Sequence, residues 1–284
     1  MAPALGKSWL EMPAVMGGSE AVMESTSTSN LFTHTFYYGS ETDSNRNYTV
    51  CYDKSARTTY WVAYPLNSSH FGSVSRTDDY EYVPSDILAQ DCQVNVIGSF
   101  YSWYISSNDK GTNNYSKGHL LPSASRTNTT TANQQLFYSV NLVPQIQSNF
   151  NSGVWSTLEG ALQTRANSEN LYIVTGTMCS QVNDGNGSFT PEETYDTNGV
   201  NIPAPRYFYK VVLKIGGSES NPTSATAIGF WYTNQSHAGE SYNDTEKFVK
   251  SVDQIEEWTG LDFFVNLPND LEATAEAITT PWWQ

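Results

Sequence analysis

Runs of β-branched and aromatic residues, set at uneven intervals, constrain the fold of this 284-residue chain more than any other feature. Tyr48–Asp53 and Thr58–Tyr64 are two such runs, joined by the polar stretch Lys54–Arg57. They read as a β-hairpin whose second strand Pro65 should end. Leu171–Gly176, Tyr207–Leu213 and Ala225–Tyr232 predict further strands, with a closing one at Phe263–Val265. Between Asn149 and Ala166, residues Phe150, Val154, Trp155, Leu158, Ala161 and Leu162 recur three and four apart, the stripe of an amphipathic helix. Thr245–Trp258 repeats the pattern and stops near Gly260, as a helix C-terminus should. Strands and helices do not alternate regularly and no internal repeat is evident. The reading is therefore a single α+β domain with a central antiparallel sheet flanked by helices. Phe71–Thr112 reads as loops, and residues 1–45, rich in Ser, Thr and Gly, as a loosely structured lead-in to a domain spanning 46–284.

Composition narrows the function. Hydrophobic residues at 38% and aromatics at 13% put the chain among folded globular proteins. A net charge of −15 argues against gripping nucleic acid with a broad basic surface, but is compatible with a metal-bridged phosphate site. No apolar run reaches the roughly 18 residues of a membrane-spanning helix. Met1–Gly18 lacks the basic and apolar regions of a signal peptide, yet the polar, Lys-poor composition suggests an extracytoplasmic protein whose leader is not in view. Cys51, Cys92 and Cys179 allow at most one disulfide and make no CxxC motif, so packed free thiols are expected.

Of the four histidines, His34, His70 and His237 have no suggestive neighbours. His119 lies in Tyr115-Ser-Lys-Gly-His-Leu-Leu-Pro-Ser123. The preceding glycine permits close approach to the ring, and a histidine can serve as a general base near neutral pH. In the segment Ser139–Glu159, amides and a carboxylate gather near a helix start, a donor set suited to an oxygen-seeking cation such as Mg²⁺. On one helix Asn151 and Glu159 would lie about 12 Å apart along the axis, so one of them would act through water. Read alone, His119 could equally be structural, Asn151 a helix cap and Glu159 a solvated side chain.

Ser116-Lys-Gly-His-Leu-Leu-Pro-Ser-Ala124 together with Asn141-Leu-Val-Pro-Gln145, Asn151-Ser-Gly-Val-Trp155 and Leu158-Glu159 resembles the DNA/RNA non-specific endonuclease family of the ββα-metal superfamily. The likeness spans about Tyr48 to Leu271. It implies a ββα-metal finger in which His119 is the general base and Asn151 binds Mg²⁺, or another divalent ion such as Mn²⁺, directly. Glu159 would hold metal-bound water, Arg76 would steady the phosphate, and Asn141 would support the site. Lys117, Gln145 and Arg165 are the expected substrate contacts. The implied reaction is hydrolysis of DNA and RNA, without sequence specificity, to 5′-phosphate ends. The family's Asp-Arg-Gly-His reads Ser116-Lys117-Gly118-His119 here, losing a carboxylate and replacing a bidentate guanidinium by an ammonium. Its later arginine aligns with Gln163, with Arg165 near enough to stand in. A rival reading is an inactive relative that binds nucleic acid or, through exposed aromatics, glycans.

Overall fold

A computed structural model describes residues 9–15, 30–97, 115–196 and 198–283. Glu24–Ser29 of the lead-in and Gly111–Thr112 of the loop region lie outside the described residues. In chain order the first strands are β1 (Ala14–Val15), β2 (Leu31–Tyr37), β3 (Arg46–Asp53), β4 (Thr58–Leu66) and β5 (Tyr115–His119). Helix α1 (Thr130–Gln134), β6 (Leu142–Ile146), helix α2 (Ser156–Ala166) and β7 (Leu171–Met178) follow. Next come the short β8 (Thr194–Tyr195) and β9 (Asn201–Ile202), then the long β10 (Tyr207–Ser218) and β11 (Asn221–Thr233). The described chain closes with β12 (Val249–Lys250), helix α3 (Val252–Thr259), β13 (Leu261–Asp262) and helix α4 (Asn269–Glu276).

A seven-stranded antiparallel sheet in the order β12-β11-β10-β7-β4-β3-β2 organises the molecule, so the expected α+β architecture is what forms. Side chains alternate across a strand, and here both faces are covered. Val50, Tyr52, Val62, Tyr64, Ile173, Phe208, Val212 and Tyr232 point to one face, where Leu120, Phe150, Trp155 and Leu158 cover them. Cys51, Trp61, Val174, Tyr209, Val211 and Trp231 point to the other, under Val252, Ile255, Phe263 and Ala275. All three cysteines are free thiols, as expected, and burial pushes that of Cys51 up to about 12.

Several expectations are corrected. The stretch 1–45 is not all lead-in: β2 pairs along β3 as an edge strand, and Trp9, Leu10 and Met12 are buried beneath the sheet. The Arg46 Nε donates to Glu11 at 2.7 Å and its Nη2 to Glu219 at 2.6 Å, tying that segment to the sheet. Pro65 does not end β4, which continues to Leu66 in register with Leu171. The stripe from 149 yields helix only from Ser156, because Ser148, Asn149, Ser152 and Gly153 take non-helical conformations. The last helix starts at Val252: Val249 and Lys250 pair with β11, and Ser251 caps the helix by accepting from the Gln254 N–H. Phe263–Val265 is not a strand; Phe264 has φ 55°, which breaks extended pairing, and only Leu261–Asp262 bridge to β1. The helix Asn269–Glu276 was not foreseen.

If the amino-terminal segment belongs to the core, Met12→Ala should cost about 2–5 kcal/mol in a urea melt, the range for emptying a packed site. His70 gives a second test. Burial pushes its pKa down to about 2, with Arg126 adding to the effect, while Nδ1 accepts from the Asn67 N–H. A histidine depressed on folding takes up its proton more readily in the unfolded chain, so its contribution is present above about pH 6.5 and lost as pH falls. Between pH 6.5 and 4.5 the wild-type protein should lose stability more steeply than His70→Gln, by up to about 1.4 kcal/mol per pH unit in chemical denaturation.

Candidate active site

The motif residues sit on a hairpin followed by a helix. β5 and β6 pair antiparallel, with Ser116 opposite Gln145 and His119 opposite Leu142. Gly118 is required by packing: a Cβ there would stand 2.5 Å from Gln145 Oε1 and 2.6 Å from its Cβ. The close approach that a glycine before His119 permits is therefore made by Gln145. From β6 the chain runs through the irregular stretch 147–155, where Phe150 and Trp155 plug into the sheet face, and enters α2. Its breaks at Ser152 and Gly153 make the straight-helix separation of Asn151 and Glu159 inapplicable, and both line one cleft of about 510 Å³ with His119, Arg76 and Lys117.

Each side chain is held for a reason. Asn141 is fully buried; its Nδ2 donates to the Leu121 and Leu136 carbonyls, each at 2.9 Å, and its Oδ1 accepts from the Leu121 N–H at 2.9 Å. It braces the chain just after His119 and does not line the cleft. Asn151 Nδ2 donates to Ser116 Oγ at 3.0 Å and to Gln147 Oε1 at 2.8 Å, which fixes the amide plane and directs Oδ1 away from both partners. Ser116, the position where a family carboxylate is missing, donates in turn to the Gln145 carbonyl at 3.0 Å. It is thus a link in the support of Asn151.

His119 packs edge-on against Phe137, with ring centroids 5.0 Å apart. The ring hydrogen-bonds the Lys117 backbone and Nε2 is buried without a partner, which assigns the ring proton to Nδ1 and leaves the Nε2 lone pair free. Burial, helped by Arg76 and Lys117, pushes its pKa down to about 3, so it is neutral at physiological pH. Glu159 Oε1 is also buried without a hydrogen-bond partner. Burial raises this carboxyl to about 7 against the opposing pull of Lys210, whose Nζ lies 3.9 Å away. Lys210 rises from the middle of β10 between Phe208 and Val212, fully buried. It donates to Thr175 Oγ1 at 2.8 Å and to the Leu120 carbonyl at 3.2 Å, over the Trp155 ring. Burial brings it down to about 8.

At the rim, Arg76 pairs with Asp78, donates to Ser123 Oγ at 3.1 Å and lies over the Phe137 ring. Lys117 donates to the Val96 carbonyl at 2.8 Å and faces the Tyr80 ring at 3.8 Å. Two expected substrate contacts do not reach the cleft. Gln145 is fully buried beneath Gly118. Arg165 stacks over Trp283 because it lies two residues, about 200° of helix, beyond Gln163, and Gln163 is the residue that lines the cleft. Sequence reasoning missed Gln147, Tyr80, Ser123 and Lys210. Lys210 carried one signal, a lone cation inside an apolar strand run.

A two-stranded hairpin bearing a neutral histidine, followed by a helix bearing a buried carboxyl over an open polar cleft, has a ββα layout. The family model for DNA/RNA non-specific endonuclease matches residues 27–270, and the chain belongs to that family of nucleases. It is 30% identical over 232 residues to a nuclease of a Nostoc species, covering 81% of this chain and 75% of that protein. Identity to the human mitochondrial nuclease EXOG is 26%, over 81% of this chain and 58% of that relative. Identity to human mitochondrial endonuclease G is 23%, over 79% of this chain and 69% of that relative. Among solved structures, a crystal structure of the EndoG/EndoGI complex superposes with a TM-score of 0.58 at 22% identity, over 79% of this chain and 85% of that chain, and shares the fold.

The bracing role of Asn141 predicts that Asn141→Ala strands one N–H and two carbonyls inside the protein. Thermal denaturation followed by circular dichroism should show a loss of at least about 3 kcal/mol, since each of the three buried groups left unpaired costs roughly 1–3 kcal/mol.

Proposed function

We propose that the protein is a Mg²⁺-dependent, sugar-non-specific endonuclease that hydrolyses DNA and RNA to 5′-phosphate ends. The observation that carries this reading is a pair of buried atoms without a hydrogen-bond partner, His119 Nε2 and Glu159 Oε1, on one cleft with the doubly anchored Asn151. An amide oxygen and a carboxylate without nearby thiols or a second imidazole form a donor set suited to a hard cation that keeps most of its waters. Asn151 Oδ1 would be its direct ligand and Glu159 would hold it through water; Mn²⁺ would substitute. Bound there, the ion would supply Lewis-acid polarisation of the phosphate and stabilisation of the leaving 3′-oxygen.

The chain's own residues supply the rest. His119 Nε2, neutral because burial disfavours its charged form, takes the proton from the attacking water. The Arg76 guanidinium offsets charge gathering on the phosphate oxygens, and Lys117 adds a second cation on the cleft lining. Lys210 lies behind Glu159 and draws that carboxyl toward its ionised form, which holding metal-bound water requires. Arg76 and Lys117 on the cleft lining suit phosphate, whose contacts carry no sequence information, so DNA and RNA are both substrates and sequence preference is weak. The overall charge of −15 makes substrate holding weak and salt-sensitive. A glycan-binding platform has less support: Tyr60 is the exposed aromatic among the described residues, and it donates to Asp53.

Plasmid DNA and RNA should both be degraded in Mg²⁺, and EDTA should stop the reaction. His119→Ala, purified identically, should lose about 10²–10⁴-fold in rate, the usual worth of a positioned general base. A folded protein inert in Mg²⁺ and Mn²⁺ would overturn the assignment and favour a binding role.

A further inference from the structure

On the sheet face opposite the cleft, α3 and α4 bring three carboxylates together. Asp253 and Glu256 share a face of α3, three residues apart, and Glu276 is the last residue of α4. One oxygen from each lies within 4.8 Å of the others. Glu256 and Glu276 are 9% and 5% exposed. The Phe263 N–H satisfies Glu256 Oε1 at 2.6 Å, but Glu276 Oε1 is buried with no hydrogen-bond partner. A buried carboxylate oxygen without a donor is costly, and three converging carboxylates repel one another. The charges that act on Glu276 are those of Glu256, Glu272, Asp253 and Asp262, every one acidic; burial and these neighbours push it up to about 9.

We propose that Asp253, Glu256 and Glu276 form a Ca²⁺ site that clamps α3 to α4, separate from the catalytic cleft. The donor set suits the ion. Ca²⁺ accepts several carboxylate oxygens in a flexible geometry, whereas Mg²⁺ demands near-ideal octahedral geometry and is usually held by only one or two carboxylates. The three carboxylates supply hard oxygen donors from two helices, the bound charge answers their repulsion, and the buried Glu276 oxygen gains its missing partner. Asp253, which is exposed, opens the site to water for the remaining coordination positions.

The test is thermal unfolding of the full chain, first stripped with EDTA and then titrated with Ca²⁺, in an Asn151→Ala background that removes the direct ligand of the catalytic cleft. Saturation to about 100 times Kd should raise Tm by about 5–10 °C. The rise should vanish in Glu276→Gln and in Asp253→Asn, whatever their starting Tm. The exposed position of Asp253 keeps the test available if Glu276→Gln does not fold. A Ca²⁺ response missing from the Asn151→Ala protein, or kept in both carboxylate variants, overturns the site. An equal rise with Mg²⁺ overturns its assignment to Ca²⁺.

Discussion

The Asn141 carboxamide is the interaction on which the arrangement of the cleft depends. Its three side-chain hydrogen bonds fall on the backbone at Leu121 and Leu136, and its own carbonyl accepts from the Leu120 N–H. His119 is thereby clamped from the residue that follows it, while β6 holds it from across the hairpin. Arg126 does the same further along: it is fully buried and donates to Asn47, Ser125 and Pro65, joining the loop after His119 to β3 and β4. Buried polar groups of this kind are costly when left unpaired and rigid when satisfied, and every side-chain nitrogen and oxygen of these two has a partner. The site's precision comes from such contacts more than from the propensity of any one element.

Burial also sets the electrostatics of the cleft. One low-dielectric wall holds His119 neutral and raises Glu159, while Lys210, rising from the sheet face that the cleft elements cover, works against the second effect. A base and a carboxyl with opposite needs thus share a cleft because their environments differ, one against Phe137 and the other before an ammonium group. The same physics on the opposite face leaves Glu276 among acidic neighbours, with no compensating cation acting on it from the described residues.

The strands were legible wherever β-branched and aromatic residues ran together, since those runs are buried on both faces and leave little choice of structure. Helices were legible in type and poorly in extent. The apolar stripe from Phe150 continues through a stretch that is not helical, because Phe150 and Trp155 reach the sheet equally well from an irregular backbone. The amino-terminal segment read as a lead-in because a strand at a sheet edge needs little apolar alternation, and its neighbour Trp9–Met12 is buried by residues more than two hundred positions away.

The sequence by itself determined the α+β class and placed His119, Asn151 and Glu159 as the residues of interest, because short-range pattern and motif spacing are local properties. Only the tertiary structure decided what supports them. Ser116 anchors Asn151 from 35 residues away, and Lys210 stands 51 residues beyond the Glu159 it faces. Helix phase turns Arg165 away from the cleft, and packing against Gly118 keeps Gln145 out of it. These facts depend on which distant groups share a buried volume, a long-range matter on which hydrophobic period and motif spacing carry no information.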